Sequence, residues 1–175
     1  IVDQVAQLIG PDVILWGSQV FCKPAGTGRE VPWHQDGRYW PIRPVATCSV
    51  WIALDDVDAE NGCMRYIPGS HRAGHVFRHR RREGDGLVLH EELDPSAFDP
   101  AASRDDCLQA GQYSLHDVHL IHGSLPNRSE RRRAGFVLRF MPATSHFDRA
   151  IDERQDQAGV SFSFSRRPLW LVRGQ

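Results

Sequence analysis

Metal-binding side chains stand close together in the His-Gln-Asp segment that begins at His34. In an extended segment successive side chains alternate between two faces, so His34 and Asp36 point the same way and supply two metal ligands. A third ligand must come from elsewhere, and His116, His119 and His122 compete for that position. Two histidines and one carboxylate leave three positions of an octahedral ion open, as in non-haem Fe(II) oxygenases. Structural zinc, by contrast, usually has four protein ligands.

Composition and charge narrow the classes of function. The chain has 175 residues with 41% hydrophobic content, which is sufficient for the core of one domain. The formal net charge is −1, so bulk electrostatics favour neither a nucleic-acid partner nor a membrane surface. We therefore expect neither a nucleic-acid nor a membrane partner, and the sequence does not indicate an oligomeric state.

The cysteines and the chain end bear on location. The four cysteines include no C-x-x-C pair, so we expect neither a disulfide framework nor a zinc ribbon, and we predict a reducing, cytoplasmic location. No apolar run reaches the length of a membrane span, and no signal peptide is visible. Ile1 is not a natural start, so we expect residues 1–175 to be a single domain whose N-terminal part is missing.

Short apolar runs separated by turn residues predict an all-β protein with one flanking helix. The helix ends at Ile9, before Gly10 and Pro11. We predict a β-barrel or double-sheet sandwich, with a hairpin joining the runs at 46–54 and 63–68. The predicted strands are 13–16, 18–22, 46–54, 63–68, 112–115, 119–122 and 134–141.

Residues 72–106 differ from the rest of the chain because they are polar and carry many charges, with one short apolar run at 87–89. A segment of this length in a compact domain usually has a function of its own. We predict a lid or insertion loop.

Three motifs and a downstream arginine make the chain similar to a known family. They are HQD at 34–36, NG-x-x-x-x-IPGSH at 61–71 and HGS-x-x-N-x-S at 122–129, followed by Arg133. From about Gln19 to Met141 the chain resembles the phytanoyl-CoA dioxygenase family of Fe(II)/2-oxoglutarate-dependent oxygenases. We read the 61–71 motif as structural, a hairpin turn followed by a tight corner.

The resemblance implies a double-stranded β-helix, the jelly-roll barrel of the cupins, with the metal at its mouth. It implies His34, Asp36 and His122 as the Fe(II) ligands, because Gly-Ser follows His122 and Asn127 lies five residues on. It also implies 2-oxoglutarate and O2 as co-substrates. The expected reaction is hydroxylation of an unactivated C–H bond in a secondary metabolite, amino acid or acyl thioester, with release of succinate and CO2.

The C5 carboxylate of 2-oxoglutarate needs a cationic partner, and a guanidinium can donate two parallel hydrogen bonds to it. The family places this arginine about eleven residues after the distal histidine, at Arg133. Arg131 and Arg139 stay open as alternatives. By the same resemblance Ser124, Trp51 and Gln19 line the co-substrate pocket.

Tyr39 and Trp40 are expected to flank the substrate opening, whereas His71, His75, His79, His90 and His146 are expected on the surface.

Two other functions compete with the oxygenase. One is a non-catalytic cupin-like binding or sensing domain, and the other is a metal-dependent hydrolase that activates water.

Overall fold

The computed structural model describes residues 1–150 and 164–175, which form strands with one α-helix. Four short 3-10 turns lie at Asp36–Arg38, Ser70–Ala73, Pro95–Ala97 and Pro100–Ala102. Among the described residues no helix is long and apolar enough to cross a membrane. The helix and strands are α1 Val2–Ile9, β1 Val13–Lys23, β2 Val31–His34, β3 Ile42–Arg43, β4 Cys48–Ala53, β5 Met64–Tyr66, β6 His79–Arg81, β7 Glu91–Leu93, β8 Arg104–Asp106, β9 Tyr113–Asp117, β10 His122–Ser124, β11 Arg133–Pro142, β12 His146–Phe147 and β13 Trp170–Arg173.

Two antiparallel sheets form the jelly roll, which confirms the predicted fold class. The larger has the strand order β13-β1-β11-β4-β9, and the smaller has the order β2-β10-β5-β8. Helix α1 covers the outer face of the larger sheet, where Val5 packs with Val13 and Phe140. The inner faces of the two sheets enclose a cavity.

Cross-strand register arranges the cavity face of the larger sheet in rows. Because β1, β11, β4 and β9 are paired residue by residue, side chains of the same parity face the same side. Two neighbouring rows are Gly17–Arg139–Ser49–His116 and Gln19–Val137–Trp51–Ser114, and further along the sheet Lys23 pairs with Arg133.

The hairpin predicted between the runs at 46–54 and 63–68 is wrong. Strand β4 pairs with β9 and β11 in the larger sheet, whereas β5 pairs with β8 and β10 in the smaller. The link therefore crosses from one sheet to the other. Asn61 organises the crossing because its side chain accepts from the backbone N–H of Asp58 and donates to the carbonyl of Asp56.

The predicted strand 119–122 is also wrong, because β10 begins only at His122. Asp117 ends β9 and starts a turn in which its carboxylate accepts from the N–H of His119 at 2.7 Å, while its carbonyl accepts from that of Leu120 at 3.0 Å. Carboxylates that bond their own backbone two residues on are typical of turns.

The segment 72–106 contains more structure than a plain loop. It includes the hairpin β6–β7 and strand β8. Leu87, Leu89 and Leu93 are buried, and Val88 and Leu89 reach the cavity wall.

A glycine on β11 makes room for the indole of Trp51. A Cβ at Gly135 would lie 2.0 Å from the ring atom Cζ2 of Trp51, and the indole is buried with 6% of its surface exposed. The space above Gly135 is thus filled by a ring that cannot move into solvent.

Gly135→Ala should destabilise the fold by about 1–3 kcal/mol, the usual cost of overpacking a core. Urea unfolding measures the change in the free energy of unfolding. The double variant Gly135→Ala/Trp51→Phe should recover part of the loss, because the smaller ring leaves space for the methyl group. An unchanged free energy of unfolding for Gly135→Ala would show that the indole moves freely.

Candidate metal centre

Antiparallel pairing of β2 and β10 places two histidines face to face. The Cα atoms of His34 and His122 are register partners, and their ring centroids lie 4.2 Å apart. Ligand atoms of His34, Asp36 and His122 all lie within 4.8 Å of one another, and all three residues are buried. Of the three histidines that compete for the third position, His122 joins this group.

Asp36 reaches the group although β2 ends at His34. The intervening Gln35 keeps an extended backbone with φ −122° and ψ 131°, and Asp36 then opens a 3-10 turn. The alternation of faces therefore continues past the end of the strand. As a result Asp36 Oδ1 lies 3.8 Å from His34 Nε2.

Backbone carbonyls orient both imidazoles. His34 Nδ1 lies 2.9 Å from the carbonyl oxygen of Pro32, and His122 Nδ1 lies 2.9 Å from that of Leu120. A carbonyl oxygen only accepts, so each Nδ1 carries the proton and each Nε2 keeps a free lone pair. Metal-binding histidines commonly have such a bond on the other ring nitrogen.

Electrostatics keep the three groups in their metal-binding protonation states. Burial lowers the pKa of His34, and burial together with His34 lowers the pKa of His122 to about 3. Burial acts to raise the pKa of Asp36, but His116, His122 and Arg139 outweigh it and hold that pKa below its usual range. Neutral imidazoles and an ionised carboxylate are the forms that bind a divalent ion.

His116 and Ser49 hold the second oxygen of Asp36. His116 Nε2 lies 3.6 Å from Asp36 Oδ2, and Ser49 Oγ donates to the same oxygen at 3.3 Å. His116 is therefore placed to orient the Asp36 carboxylate, a role that the sequence did not indicate. His119 lies apart, with Nδ1 3.3 Å from the carboxylate of Asp117.

The triad opens into a cavity of about 350 Å³ between the two sheets, within the size range of small-molecule sites, roughly 300–1,000 Å³. Tyr39 and Trp40 are buried in its wall, with 7% and 6% of their surfaces exposed. The other predicted pocket residues that line it are Gln19, Trp51, Ser124 and Arg133.

Three consecutive arginines have different surroundings. Arg131 and Arg132 are exposed and form ion pairs, Arg131 with Asp58 and Glu60 and Arg132 with Asp55. Arg133 is only 4% exposed and faces the cavity.

The Arg133 guanidinium is anchored without an acid partner. Its Nε donates to the carbonyl of Gly62 at 2.9 Å, and its Cζ lies 5.1 Å from the centroid of the Trp51 ring. Among residues 1–150 and 164–175 no carboxylate lies within ion-pair distance of it. Burial lowers its pKa to about 10, so it remains charged at neutral pH.

Gln35 connects the metal centre to the segment 72–106, a role that the sequence pattern did not reveal. Its fully buried side chain donates to the carbonyls of His75 and His119 at 3.1 and 2.8 Å and accepts from the N–H of Phe77 at 2.7 Å. Its own N–H donates to His79 Nε2 at 3.3 Å.

The surface position predicted for His79 is wrong. It is half-buried, its ring centroid lies 6.4 Å from that of Tyr39, and burial lowers its pKa to about 4. The other four histidines expected on the surface are exposed: His71, His75, His90 and His146.

Comparison with known proteins agrees with this geometry. Residues 1–135 match the family described as Phytanoyl-CoA dioxygenase (PhyH). The chain belongs to the phytanoyl-CoA dioxygenase family. The resemblance in the three sequence motifs is thus confirmed.

One curated protein similar to this chain is a probable alpha-ketoglutarate-dependent hypophosphite dioxygenase of Stutzerimonas stutzeri. It is 32% identical over 151 residues, which are 82% of this chain and 50% of that protein. The chain thus spans about half the length of the curated relatives it matches.

Two solved structures share the fold. A non-heme monooxygenase, ThoJ in its apo form, has a TM-score of 0.77 and 31% identity, over 99% of this chain and 58% of that chain. EvdO2 from Micromonospora carbonacea var. aurantiaca, complexed with 2-oxoglutarate, has a TM-score of 0.65 and 30% identity, over 77% of this chain and 54% of that chain.

Alanine substitution should separate the ligands from their neighbours. His34→Ala, Asp36→Ala and His122→Ala should each lose most of the affinity for a divalent ion, because one of three ligands is gone. His116→Ala should weaken binding by roughly 10–100-fold, as is typical when a group that orients a ligand is removed. Anaerobic Fe(II) titration by calorimetry measures the affinities.

His119→Ala is the matched control, since its ring lies outside the triad. It should bind the ion as tightly as the wild-type protein does. Loss of binding in His119→Ala together with normal binding in His122→Ala would show that the third ligand is assigned to the wrong histidine.

Removing the Gln35 side chain should loosen the segment 72–106. Gln35→Ala loses two hydrogen bonds that hold residues 75–77 and a third to the carbonyl of His119, so trypsin should cut near Arg78 to Arg82 faster. Fe(II) with 2-oxoglutarate should slow the cut in the wild-type protein. Exposed Gln109 supplies the control Gln109→Ala, and equal cleavage rates in the two variants would contradict a tethering role for Gln35.

Proposed function

We propose that this chain carries the active site of an Fe(II)/2-oxoglutarate-dependent oxygenase that hydroxylates a small molecule. One observation carries the proposal. A buried triad of two imidazoles and one carboxylate opens into the same cavity as a buried guanidinium that has no carboxylate partner among the described residues. A metal-dependent hydrolase or a non-catalytic domain gives that guanidinium no role.

The donor set fits iron. His34 Nε2, His122 Nε2 and Asp36 Oδ1 would hold the ion, and a donor set of two histidines and one carboxylate is characteristic of non-haem Fe(II). The protonated Nδ1 atoms prevent the rings from flipping to a second binding mode. His116 and Ser49 engage Asp36 Oδ2, which would leave Oδ1 to hold the ion.

When bound, Fe(II) with 2-oxoglutarate and O2 supplies oxidation of a C–H bond to an alcohol, with one oxygen atom entering succinate and CO2 released. Arg133 would receive the C5 carboxylate of 2-oxoglutarate. The anchor to the Gly62 carbonyl and the contact with Trp51 hold the guanidinium in place before the co-substrate arrives. A cation that is already oriented loses little freedom on binding.

Further residues would complete the co-substrate pocket. Ser124 lies two residues beyond His122 on β10, and Lys23 Nζ donates to the carbonyls of Ser124 and Leu125, which holds that strand. Gln19 and Trp51 lie in one row of the larger sheet, on either side of Val137. We assign Ser124, Gln19 and Trp51 to the co-substrate.

Tyr39 and Trp40 are assigned to the substrate side. They come three and four residues after Asp36 and line the same cavity. With Val88 and Leu89 from the proposed lid at 72–106 they form an apolar wall, which excludes water from the reacting centre.

The family leaves the substrate open. Family names refer to phytanoyl-CoA, and one relative is named for hypophosphite, two compounds with little in common. A cytoplasmic location remains part of the proposal, because the four cysteines are free.

Arg133→Ala tests the co-substrate site. Charge-assisted hydrogen bonds contribute about 1.5–3 kcal/mol, so the affinity for 2-oxoglutarate should fall by roughly ten- to more than a hundredfold, at ~1.4 kcal/mol per tenfold. Arg133→Lys should recover only part of the affinity for 2-oxoglutarate, since lysine cannot donate two parallel hydrogen bonds. Succinate release and calorimetry measure turnover and affinity.

Arg131→Ala is the matched control, because it removes an exposed arginine two positions away. It should leave the affinity for 2-oxoglutarate unchanged, and neither variant should alter the affinity for Fe(II). If Arg133→Ala binds 2-oxoglutarate normally, a cation other than Arg133 binds the C5 carboxylate. If the wild-type protein binds no 2-oxoglutarate at all, the oxygenase proposal is wrong.

A further inference from the structure

A second buried arginine faces the cavity. Arg139 is 6% exposed and lies on β11 on the same side as Arg133, six residues along the strand. It pairs with Ser49 on β4, whose hydroxyl donates to Asp36. Arg139 therefore lies in the row of the larger sheet that is nearest to the triad.

The Arg139 guanidinium is held by aromatic faces and not by an acid. Its Cζ lies 4.7 Å from the ring centroid of Trp40, 5.6 Å from that of Phe21 and 6.0 Å from that of Trp16. Its Nε is buried and has no hydrogen-bond partner among the described residues, and no described carboxylate forms an ion pair with it.

Arg167 adds a second positive charge to this region. A Cβ at Gly17 would lie 3.2 Å from Arg167 Nη1 and 3.9 Å from Arg139 Cβ, so the two arginines approach each other where β1 has no side chain. Burial lowers the pKa of Arg139, Asp36 acts to raise it, and Arg167 lowers it further. Buried charge without a hydrogen-bonded partner is costly.

Neither the metal nor the co-substrate uses this cation. Asp36, the acid whose charge acts to raise the pKa of Arg139, would be held by the ion. A 2-oxoglutarate held at the ion would leave its C5 carboxylate free. That group lies at the far end of the molecule, so it suits Arg133. The Cα atoms of Arg133 and Arg139 are about 20 Å apart along the strand, at ~3.3 Å per residue.

We infer that Arg139 is a specificity-determining residue that binds an oxyanion of the substrate, a carboxylate or a phosphoryl group. The inference rests on the proposed function and names its substrate class. The body of such a substrate would lie against Tyr39, Trp40, Val88 and Leu89, which are apolar or aromatic. The substrate is therefore an organic anion with an apolar body, held so that a C–H bond faces the triad.

Probe binding to the loaded protein tests this inference. The wild-type protein is saturated anaerobically with Fe(II) and 2-oxoglutarate and titrated with octanoate, octyl phosphate or 1-octanol. The indoles of Trp16 and Trp40 flank Arg139, so tryptophan fluorescence reports binding. At least one of the two anions should bind ten or more times more tightly than the alcohol, and the tighter one identifies the oxyanion.

Three variants locate the preference. Arg139→Met should abolish the preference for the anion over 1-octanol, and Arg139→Lys should keep part of that preference. Arg132→Met, which removes an exposed arginine, should leave the preference unchanged. Arg139→Met should melt at the same temperature as the wild-type protein or higher, because an unpaired buried charge is removed.

Several results would overturn the inference. One is equal binding, or no binding, of all three probes by the wild-type protein while 2-oxoglutarate still binds; this leaves the proposed function intact. Another is an Arg139→Met variant that melts lower and keeps the preference, which marks a structural arginine. A third is a loss of 2-oxoglutarate affinity in Arg139→Met as large as in Arg133→Ala, which assigns Arg139 to the co-substrate. Failure of the wild-type protein to bind 2-oxoglutarate refutes the proposed function, and the inference with it.

Discussion

The register between β2 and β10 is the constraint on which the metal centre depends. It sets His34 opposite His122, and Gln35 then carries the extended backbone one residue further to Asp36. A slip of one residue would turn both ligands of one strand to the other face. Gly123 helps to hold this register, because a Cβ there would lie 2.9 Å from the carbonyl oxygen of Val31.

Buried cations on the strands of the larger sheet oppose stability. Lys23, Arg133 and Arg139 are each nine-tenths buried or more, and burial lowers the pKa of Lys23 to about 7. Lys23 is satisfied by backbone carbonyls, but the two arginines retain donors for an acceptor that the described residues do not supply. Proteins tolerate such local costs where binding requires them. The larger sheet supplies the rigidity, since β11 is paired on both sides along most of its length.

Much of the fold and of the candidate site follows from the sequence. Short apolar runs predict strands at 13–16, 18–22, 46–54 and 134–141, which fall in β1, β4 and β11, because apolar side chains of these runs pack in the core. The spacing of His34 and Asp36 is sufficient to place two ligands side by side. The three motifs indicate the family, and with it the jelly roll. These features depend on short-range geometry or on residues kept in a recognisable order.

Only the tertiary structure decides between chemically equal neighbours. Arg133 differs from Arg131 and Arg132 because it alone of the three turns into the cavity, and alternation cannot say which residue of a run begins the strand. The position of His79 and the tether formed by Gln35 arise where a distant segment folds over β2. The crossing of 54–63 between sheets has the same origin. In each case the contact that matters joins residues far apart in sequence, so the local sequence pattern cannot predict it. The position of the side chain in the assembled fold determines whether it is buried and what it contacts.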